Sequence, residues 1–222
     1  MVHGETLSVY PLDGNWSDVR REYWWHAIVE ARLPRRPRAL LVGLGGGTQL
    51  HLLHALAEPR ALTAVERDPV ILRAAYEWFG LRDLGGVEYL CADAQTAATA
   101  LAAAGRRFDF VMEDVDYGDG GERSLPLARM LATLVARGGV FVANRHRRRE
   151  AALVIDALRP YFSEVRERRV RREGENVLVV AARPRAPGRL RKNAQADGAA
   201  RRATGVSRLR LCRETASPSP DR

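Results

Sequence analysis

The sequence predicts a doubly wound α/β domain built on a mostly parallel, seven-stranded sheet. Between residues 38 and 144, short apolar runs rich in β-prone residues alternate with segments of helical length. Continuous apolar strands separated by helices indicate a parallel sheet that helices cover on both faces. Two further strand-like runs lie on either side of a turn near Gly174 and Asn176, and they predict a C-terminal antiparallel hairpin that closes the sheet.

The predicted elements follow one another in order along the chain. The strand-like runs are residues 39–44, 61–66, 87–92, 108–113, 139–144, 163–170 and 176–183. The helical segments are Gln49–Ala57, Val70–Phe79, Ala94–Ala104, Ser124–Ala136, and a last helix from about Arg149 to Leu158 that is ended by Pro160.

A short N-terminal appendage precedes this domain. Residues 7–12 predict a strand, and Ser17 is the expected N-cap of a helix that runs to Leu33, where Pro34 stops it. On that helix, three aromatic residues at 23–25 either wall a pocket, form a dimer contact or pack the helix. We therefore divide the chain into an appendage (1–34), an α/β domain (35–184) and a tail (185–222).

The tail carries most of the net charge. Residues 185–222 hold ten basic side chains against three acidic ones, so seven of the nine net positive charges lie there and +2 remains for residues 1–184. The tail is rich in Arg, Ala, Pro, Gly and Ser without apolar periodicity, which predicts disorder. Because the body is nearly neutral, we do not expect a nucleic-acid partner.

Composition also excludes several classes of protein. No apolar run approaches the ~18 residues of a membrane span, and Glu5 interrupts any signal peptide, so we expect a cytoplasmic chain without membrane contact. The two cysteines, Cys91 and Cys212, give neither a disulfide framework nor metal-ligand spacing, so we expect no metal site.

A glycine-rich loop follows the first predicted strand. Gly43, Gly45 and Gly47 form a GxGxG pattern, and Thr48 begins a helix where a dinucleotide fingerprint would place its third glycine. Glycines allow a tight turn and close approach of a ligand, and the helix N-terminus offers free N–H groups. The pattern fits a nucleoside better than a pyrophosphate, and a tight turn without a ligand is the alternative.

Carboxylates end the second and third predicted strands. Glu66 lies 23 residues after Gly43, near the spacing of a ribose-binding acid, and it is followed by Arg67. Asp68 is the better helix cap there, which leaves Glu66 for a ligand. Asp93, followed by Ala94, either accepts from an adenine amine, caps the next helix, or does both.

An acidic loop follows the fourth predicted strand. Residues 113–122 hold five acids and no base, at the sheet edge where doubly wound folds bind ligands. Such a loop favours a cationic substrate and supplies candidates for a general base. Asp114 and Asp116 are nearest the strand and are the better candidates, whereas Asp119 and Glu122 fit a solvated turn.

Two arginine clusters offer phosphate contacts as an alternative. The first spans residues 145–149 and includes His146, which we expect at the surface. The second spans residues 166–172, where alternating arginines on an edge strand need no partner because charged edges discourage strand addition.

These motifs resemble the class I S-adenosylmethionine-dependent methyltransferase superfamily and, within it, the spermidine synthase (polyamine aminopropyltransferase) branch. The resemblance covers about residues 12–183. It rests on LLVGLGGGT, AVERDP, CADA, FDFVMEDVDY and GGVFVAN, on an LDG at residues 12–14, and on Glu22 and His26 in a segment similar to DExxYHE. Gly46 stands where that branch has an aspartate.

The resemblance implies a Rossmann-like fold and a transferase of methyl or aminopropyl groups to an amine. The cofactor is then S-adenosylmethionine or decarboxylated S-adenosylmethionine, and the substrate a small cationic amine. It implies a catalytic role for Asp114 and substrate contacts for Asp116, Tyr117 and His26. The implied cofactor-binding residues are Gly43, Gly45, Gly47, Thr48, Glu66, Arg67, Asp93 and Ala94.

Two hypotheses from other classes stay open. One is a methyltransferase-like protein that binds an adenosyl nucleoside without catalysis and acts as a sensor or partner subunit. The other is an RNA-associated protein that uses the arginine-rich tail, which would give binding with a steep salt dependence. A homodimer is compatible with each of them.

Overall fold

One mixed sheet between two layers of helices forms the body of the protein. The computed structural model describes residues 8–118, 121–171 and 175–186, and within them seven strands join in a single sheet. The first five strands are parallel, and the last two form the antiparallel pair. The predicted fold class is therefore confirmed.

The elements have the following bounds. The strands are β1 (Arg38–Val42), β2 (Ala61–Glu66), β3 (Val87–Cys91), β4 (Phe108–Glu113), β5 (Val135–Arg145), β6 (Phe162–Arg171) and β7 (Glu175–Pro184). The α-helices are α1 (Tyr23–Val29), α2 (Thr48–Ala57), α3 (Pro69–Trp78), α4 (Ala94–Ala103), α5 (Leu125–Ala132) and α6 (Arg148–Leu158). Short 3₁₀ turns cover Asp18–Arg21, Leu81–Asp83 and Gly121–Ser124.

The strand order creates a crevice at the centre of the sheet. Neighbours run β3-β2-β1-β4-β5-β7-β6, so the chain moves outward in one direction from β1 and then in the other from β4. At such a switch point the connections leave β1 and β4 on opposite faces, which opens a space beyond their carboxyl ends. The fold therefore directs a ligand to that edge.

Alternation along the strands divides the core into two layers. In β1, Leu40 and Val42 pack with α4, α5 and α6 on one face, while Ala39 and Leu41 pack with α1, α2 and α3 on the other. Both faces of the central strands are buried, which explains why their sequences are continuously apolar.

The N-terminal helix is shorter than the sequence predicts. The expected helix from Ser17 to Leu33 is a 3₁₀ turn followed by α1, because Glu22 between them has an extended backbone with φ −88° and ψ 159°. Ser17 makes no side-chain cap hydrogen bond. The three residues predicted to share one helix face, Trp24, Ile28 and Ala31, are all buried, although Ala31 lies beyond the end of α1.

Two other boundaries differ from the prediction. Helix α5 ends at Ala132 rather than Ala136, because Val135 already pairs with Phe108 as the start of β5. The described part of the predicted first strand, residues 8–12, is not a strand. It lies over the start of α2 instead, where the backbone of Val9 both donates to and accepts from the Thr48 hydroxyl at 2.8 Å.

The predicted tail begins one residue too early, because the Arg185 N–H donates to the Tyr161 carbonyl at 2.7 Å and so joins Arg185 to the domain. Residues 187–222 of the predicted tail lie outside the described residues. Among the residues that are described, no helix is both long and apolar enough to cross a membrane.

Candidate active site

A cavity of about 390 Å³ lies at the switch point, beyond the carboxyl ends of β1, β2 and β4. Its walls include most of the candidate residues that the sequence singles out. These are Gly43, Gly45, Gly47, Thr48, Glu66, Arg67, Asp93, Ala94, Asp114 and Asp116. Ten residues dispersed between positions 43 and 116 thus share one space. Tyr117 and His26 lie elsewhere.

The first glycine of the loop is required by the backbone of β4. Gly43 has φ +90°, and a Cβ there would lie 2.2 Å from the Asp114 carbonyl oxygen. The segment after β1 and the segment after β4 are held together by a 2.8 Å hydrogen bond from the Asp114 N–H to the Val42 carbonyl. Gly43 therefore allows the candidate catalytic residue to sit directly beside the glycine loop.

The side chains around Gly46 leave no room for a Cβ at this position. A Cβ at Gly46 would lie 2.7 Å from both Phe79 and Ser8, so the aspartate of the spermidine synthase pattern does not fit here without rearrangement. The Gly46 N–H also donates to the Ser8 hydroxyl at 2.7 Å. With the Thr48 hydroxyl bonded to Val9, the N-terminal segment occupies this side of the loop.

Glu66 lines the cavity and is oriented by two backbone donors. Its Oε2 accepts a 3.2 Å hydrogen bond from the Leu44 N–H in the glycine loop, and its Oε1 accepts a 3.0 Å bond from the Asp68 N–H. Each carboxylate oxygen has a second lone pair left for a ligand. The two backbone donors thus orient the carboxylate and still leave each oxygen able to accept a hydrogen bond from a ligand.

The two helix-capping interpretations are confirmed. Asp68 caps α3 by accepting from the Val70 N–H at 2.8 Å, so Glu66 is not the cap. Asp93 caps α4 by accepting from the N–H groups of Gln95 and Thr96 through one oxygen, Oδ1. Because Asp93 also lines the cavity, capping leaves Oδ2 available for a ligand.

Both carboxylate oxygens of Asp114 are held by side chains from other elements. Its Oδ2 accepts from the Tyr23 hydroxyl at 2.8 Å, and its Oδ1 accepts from the Asn144 side-chain N–H at 3.0 Å. Burial raises the pKa of Asp114, against the opposing effect of these two hydrogen bonds. Burial and the neighbouring Asp114 also raise the pKa of Tyr23 well above its ordinary value, so this phenol stays protonated and remains the donor.

Asp116 and Tyr117 face a second, smaller cavity of about 240 Å³. Asp116 is exposed, lines both cavities and accepts a 2.7 Å hydrogen bond from the Gly118 N–H of its own loop. Tyr117 lies only in the second cavity, under the Arg145 guanidinium at 5.4 Å from the ring centre. Asn144 and His146 line both spaces, so the two cavities adjoin at the end of β5.

Arg145 corrects the interpretation of the first arginine cluster. It is 3% exposed and pairs with the fully buried Glu113 at 2.5 Å, so it does not face a phosphate at the surface. The pairing also removes Glu113 from the acids that a substrate meets. His146 is exposed, as expected from the sequence, although it lines both cavities.

His26 lies on α1 away from the main cavity. Burial and the charge of Arg168 lower the pKa of His26, and Glu30 is the nearby acid. Glu30 forms ion pairs with Arg166 at 2.9 Å and Arg168 at 3.5 Å on β6. Because β6 is the edge strand, the edge interpretation of the second arginine cluster is confirmed, and these pairs tie α1 to the sheet.

The structure also brings to the cavity polar residues that the sequence does not predict there, and four of them bear on the site. Tyr23 was noted only as part of an aromatic group, and Gln49, Asn144 and Asn176 were not considered as ligand contacts. All four line the main cavity. The position of Asn144 at the end of the fifth strand was an available signal, since the carboxyl ends of parallel strands meet at one edge. Among the described residues, no cluster of three or more metal-ligating side chains is present.

Comparisons with known proteins support the fold. No protein-family model matches the chain. The human methyltransferase-like protein 13 in complex with SAH superposes with a TM-score of 0.62 at 23% identity, over 84% of this chain and 96% of that one. The chain has the class I methyltransferase fold.

Sequence relatives point the same way. The mouse eEF1A lysine and N-terminal methyltransferase is 30% identical over 157 residues, which is 65% of this chain and 22% of the relative. The polyamine aminopropyltransferase of Vibrio vulnificus is 28% identical over 114 residues, 50% of this chain and 38% of that enzyme. The chain is thus methyltransferase-like and more distantly similar to an aminopropyltransferase, and it spans about a fifth of the length of the methyltransferases that it matches.

Proposed function

We propose that this chain is an S-adenosylmethionine-dependent methyltransferase that acts on an amine. The observation that carries the proposal is Asp114, half-buried at the switch point between two side-chain donors, with Glu66 held on the other side of the same glycine loop. In this proposal Glu66 binds the nucleoside and Asp114 binds the cation. The relatives that match most of the domain support methyl transfer.

The cofactor side of the cavity fits an adenosyl group. Glu66 has lone pairs free for two ribose hydroxyls, and Asp93 keeps one oxygen for the exocyclic amine of adenine. Gly45 and Gly47 present backbone without a side chain along the same wall. When bound, S-adenosylmethionine supplies a methyl group on a sulfonium, which a neutral amine attacks.

The task left to the protein is to hold and deprotonate the acceptor. An amine arrives as an ammonium, which Asp114 attracts and whose proton this carboxylate accepts. A carboxyl with a raised pKa retains an abstracted proton better than an ordinary aspartate does. Tyr23 and Asn144 fix both oxygens of Asp114, so the base is oriented before the acceptor arrives.

Two amide side chains line the part of the cavity that we assign to the amine, together with Asp114. The side-chain oxygens of Asn144 and Asn176 are buried and have no hydrogen-bond partner within the described residues. Asn144 lies opposite Leu178 on β7, two residues from Asn176, so both side chains project from the same face of the sheet. With Asp114 they offer several oxygens to the N–H groups of an ammonium.

Aminopropyl transfer is the second candidate, and the acidic loop is what favours it. The structure weakens that support, because Glu113 is neutralised by Arg145 and Asp116 bonds to its own loop. Among acceptors, we favour an amine carried by a peptide, because the matched methyltransferases are named for lysine and N-terminal substrates. The adjoining second cavity offers space for the chain that follows such an amine.

Titration calorimetry with the full chain tests the cofactor class. We expect binding of S-adenosylmethionine and methylthioadenosine and none of NAD, and preferential NAD binding would contradict the proposal. Transfer of a tritiated methyl group from the cofactor is then measured with three kinds of acceptor. These are peptides with a free N-terminus, peptides with an acetylated N-terminus and a free lysine side chain, and polyamines. Cofactor binding with no transfer to any of them would instead favour the non-catalytic, nucleoside-binding alternative.

A further inference from the structure

Gln49 brings a buried and unused hydrogen-bond donor to the wall of the main cavity. It is the second residue of α2, is 7% exposed, and lines the cavity beside the glycine loop. Its side-chain nitrogen has no hydrogen-bond partner among the described residues. A buried N–H without a partner is destabilising, so a donor kept in this position is best explained by a ligand that accepts from it.

The neighbouring donors of the loop are already occupied by the protein. The N–H of Leu44 donates to Glu66, that of Gly46 donates to Ser8, and the Thr48 hydroxyl donates to the Val9 carbonyl. The Gln49 amide is different. It is buried from bulk solvent and lines the cavity, and its N–H has no acceptor among the described residues. It also lies in the first turn of a ten-residue helix, whose N-terminus favours negative charge.

The sheet order places Gln49 between the two carboxylates of the site. Helix α2 follows β1, which lies between β2, where Glu66 ends the strand, and β4, which leads into Asp114. A cofactor whose ribose is at Glu66 and whose reacting carbon faces Asp114 must therefore pass over the start of α2. The amino-acid tail branches from the sulfonium between these two points, and with the cofactor in that position the tail would be the part nearest Gln49.

We propose that Gln49 is the residue by which this site selects an adenosyl cofactor that retains its carboxylate over one that has lost it. The inference rests on the proposed function, and it assigns the choice between two sulfonium cofactors to one side chain. A carboxylate accepts the Gln49 N–H and is favoured by the helix N-terminus. A decarboxylated tail ends in an ammonium, which only donates, and so it leaves this N–H unpaired.

Calorimetric titration of three probes tests the assignment: S-adenosylmethionine, decarboxylated S-adenosylmethionine and methylthioadenosine. We expect wild type to bind the first at least about tenfold more tightly than the second, the effect of one charge-assisted hydrogen bond. Gln49→Leu should remove about that factor for S-adenosylmethionine and leave methylthioadenosine binding within roughly twofold. Gln49→Glu keeps the shape, adds an anion and should reverse the preference.

The matched control is Gln95→Leu. Gln95 is likewise the second residue of its helix, α4, but it does not line the cavity, so none of the three affinities should change. The melting temperature separates a binding role from a structural one. Gln49→Leu removes an unpaired buried donor and should keep or raise the melting temperature, whereas a structural role would lower it.

Two results would overturn the inference while leaving the proposed function intact. One is an unchanged preference between the two sulfonium cofactors in Gln49→Leu, with methylthioadenosine still bound. The other is a wild-type preference for the decarboxylated cofactor. A wild-type chain that binds no methylthioadenosine would instead overturn the proposed function, and this inference with it.

Discussion

The Tyr23 hydroxyl donates a 2.8 Å hydrogen bond to Oδ2 of Asp114, joining the N-terminal helix to the acid at the centre of the sheet. The two residues lie 91 positions apart in the sequence. The contact depends on how α1 is anchored: Trp24 and Ile28 are buried beneath the helix, and Glu30 binds arginines of the edge strand at its far end. An element that looks like an appendage in the sequence thus completes the site.

Tyr23→Phe should slow methyl transfer while leaving cofactor affinity nearly unchanged. The ring and its packing stay, but Asp114 loses the donor that orients Oδ2. A hydrogen bond to a charged group contributes about 1.5–3 kcal/mol, so the transfer rate should fall by roughly 10- to 150-fold. Single-turnover rates with saturating cofactor measure the loss.

Asp114→Asn is the comparison for that experiment, because it removes the base itself and keeps the shape. Its transfer rate should fall by the ~10² to 10⁴ that is typical of general-base loss, which equals or exceeds the effect of Tyr23→Phe. If Asp114→Asn transfers at the wild-type rate and only melts earlier, the carboxylate has a structural role, and the catalytic assignment is wrong.

The raised pKa of Asp114 also predicts how stability depends on pH. Its pKa is raised in the folded state, so the folded chain binds a proton at pH values where the unfolded chain does not. Lowering the pH from neutral through the folded pKa should therefore stabilise wild type relative to Asp114→Asn. The gain should level off below the ordinary pKa of aspartate, where both states are protonated. Urea unfolding of both proteins across this range gives the difference, and a slope of opposite sign would contradict the assignment.

Glu66→Ala should weaken binding of methylthioadenosine, which carries the ribose but no amino-acid tail. Loss of hydrogen bonds to a charged group predicts a decrease of about 1.5–3 kcal/mol, or about 10- to 150-fold in affinity. Glu77→Ala is the control, since Glu77 is an exposed carboxylate on α3 that does not line the cavity, and its loss should leave the affinity unchanged. Equal affinities for wild type and Glu66→Ala in calorimetry would remove Glu66 from the cofactor site.

Local sequence signals were sufficient for most of the fold and for bringing Glu66, Asp93 and Asp114 to one cavity. Asp68 and Asp93 cap the helices that begin immediately after them, and a cap is decided by residues one to three positions away. Glu66 and Asp114 follow apolar strands, and parallel strands bring such positions to one edge. These inferences need only periodicity and the order of elements.

Contacts between distant segments could not be predicted in the same way. Thr48 is predicted as a cofactor-binding residue, and the sequence gives no sign that its hydroxyl bonds to Val9, 39 residues earlier. Arg145 looked like one member of a surface cluster, but it is buried against Glu113, because strands β4 and β5 end side by side. In both cases a polar side chain finds a partner that only the packed structure supplies.

The Glu113–Arg145 ion pair gives the sharpest stability prediction. Glu113 is fully buried and Arg145 is 3% exposed, with Tyr117 packed on the guanidinium. Arg145→Met would leave a buried carboxylate without its partner, which typically costs about 3–5 kcal/mol in the free energy of unfolding. Changing both residues to methionine should recover much of that loss, because two apolar side chains leave no buried charge. Urea unfolding measures all three proteins.

The exposed Arg148–Glu167 pair is the matched control for that series. Arg148 is 64% exposed, so Arg148→Met should change the free energy of unfolding by less than about 1 kcal/mol. If Arg145→Met costs no more than this control, burial does not determine the strength of the Glu113–Arg145 pair.

Because Glu113 immediately precedes Asp114, the Glu113–Arg145 pair also holds the end of β4 in place. Arg145→Met should therefore slow transfer in the fraction of molecules that stays folded, whereas Arg148→Met should not.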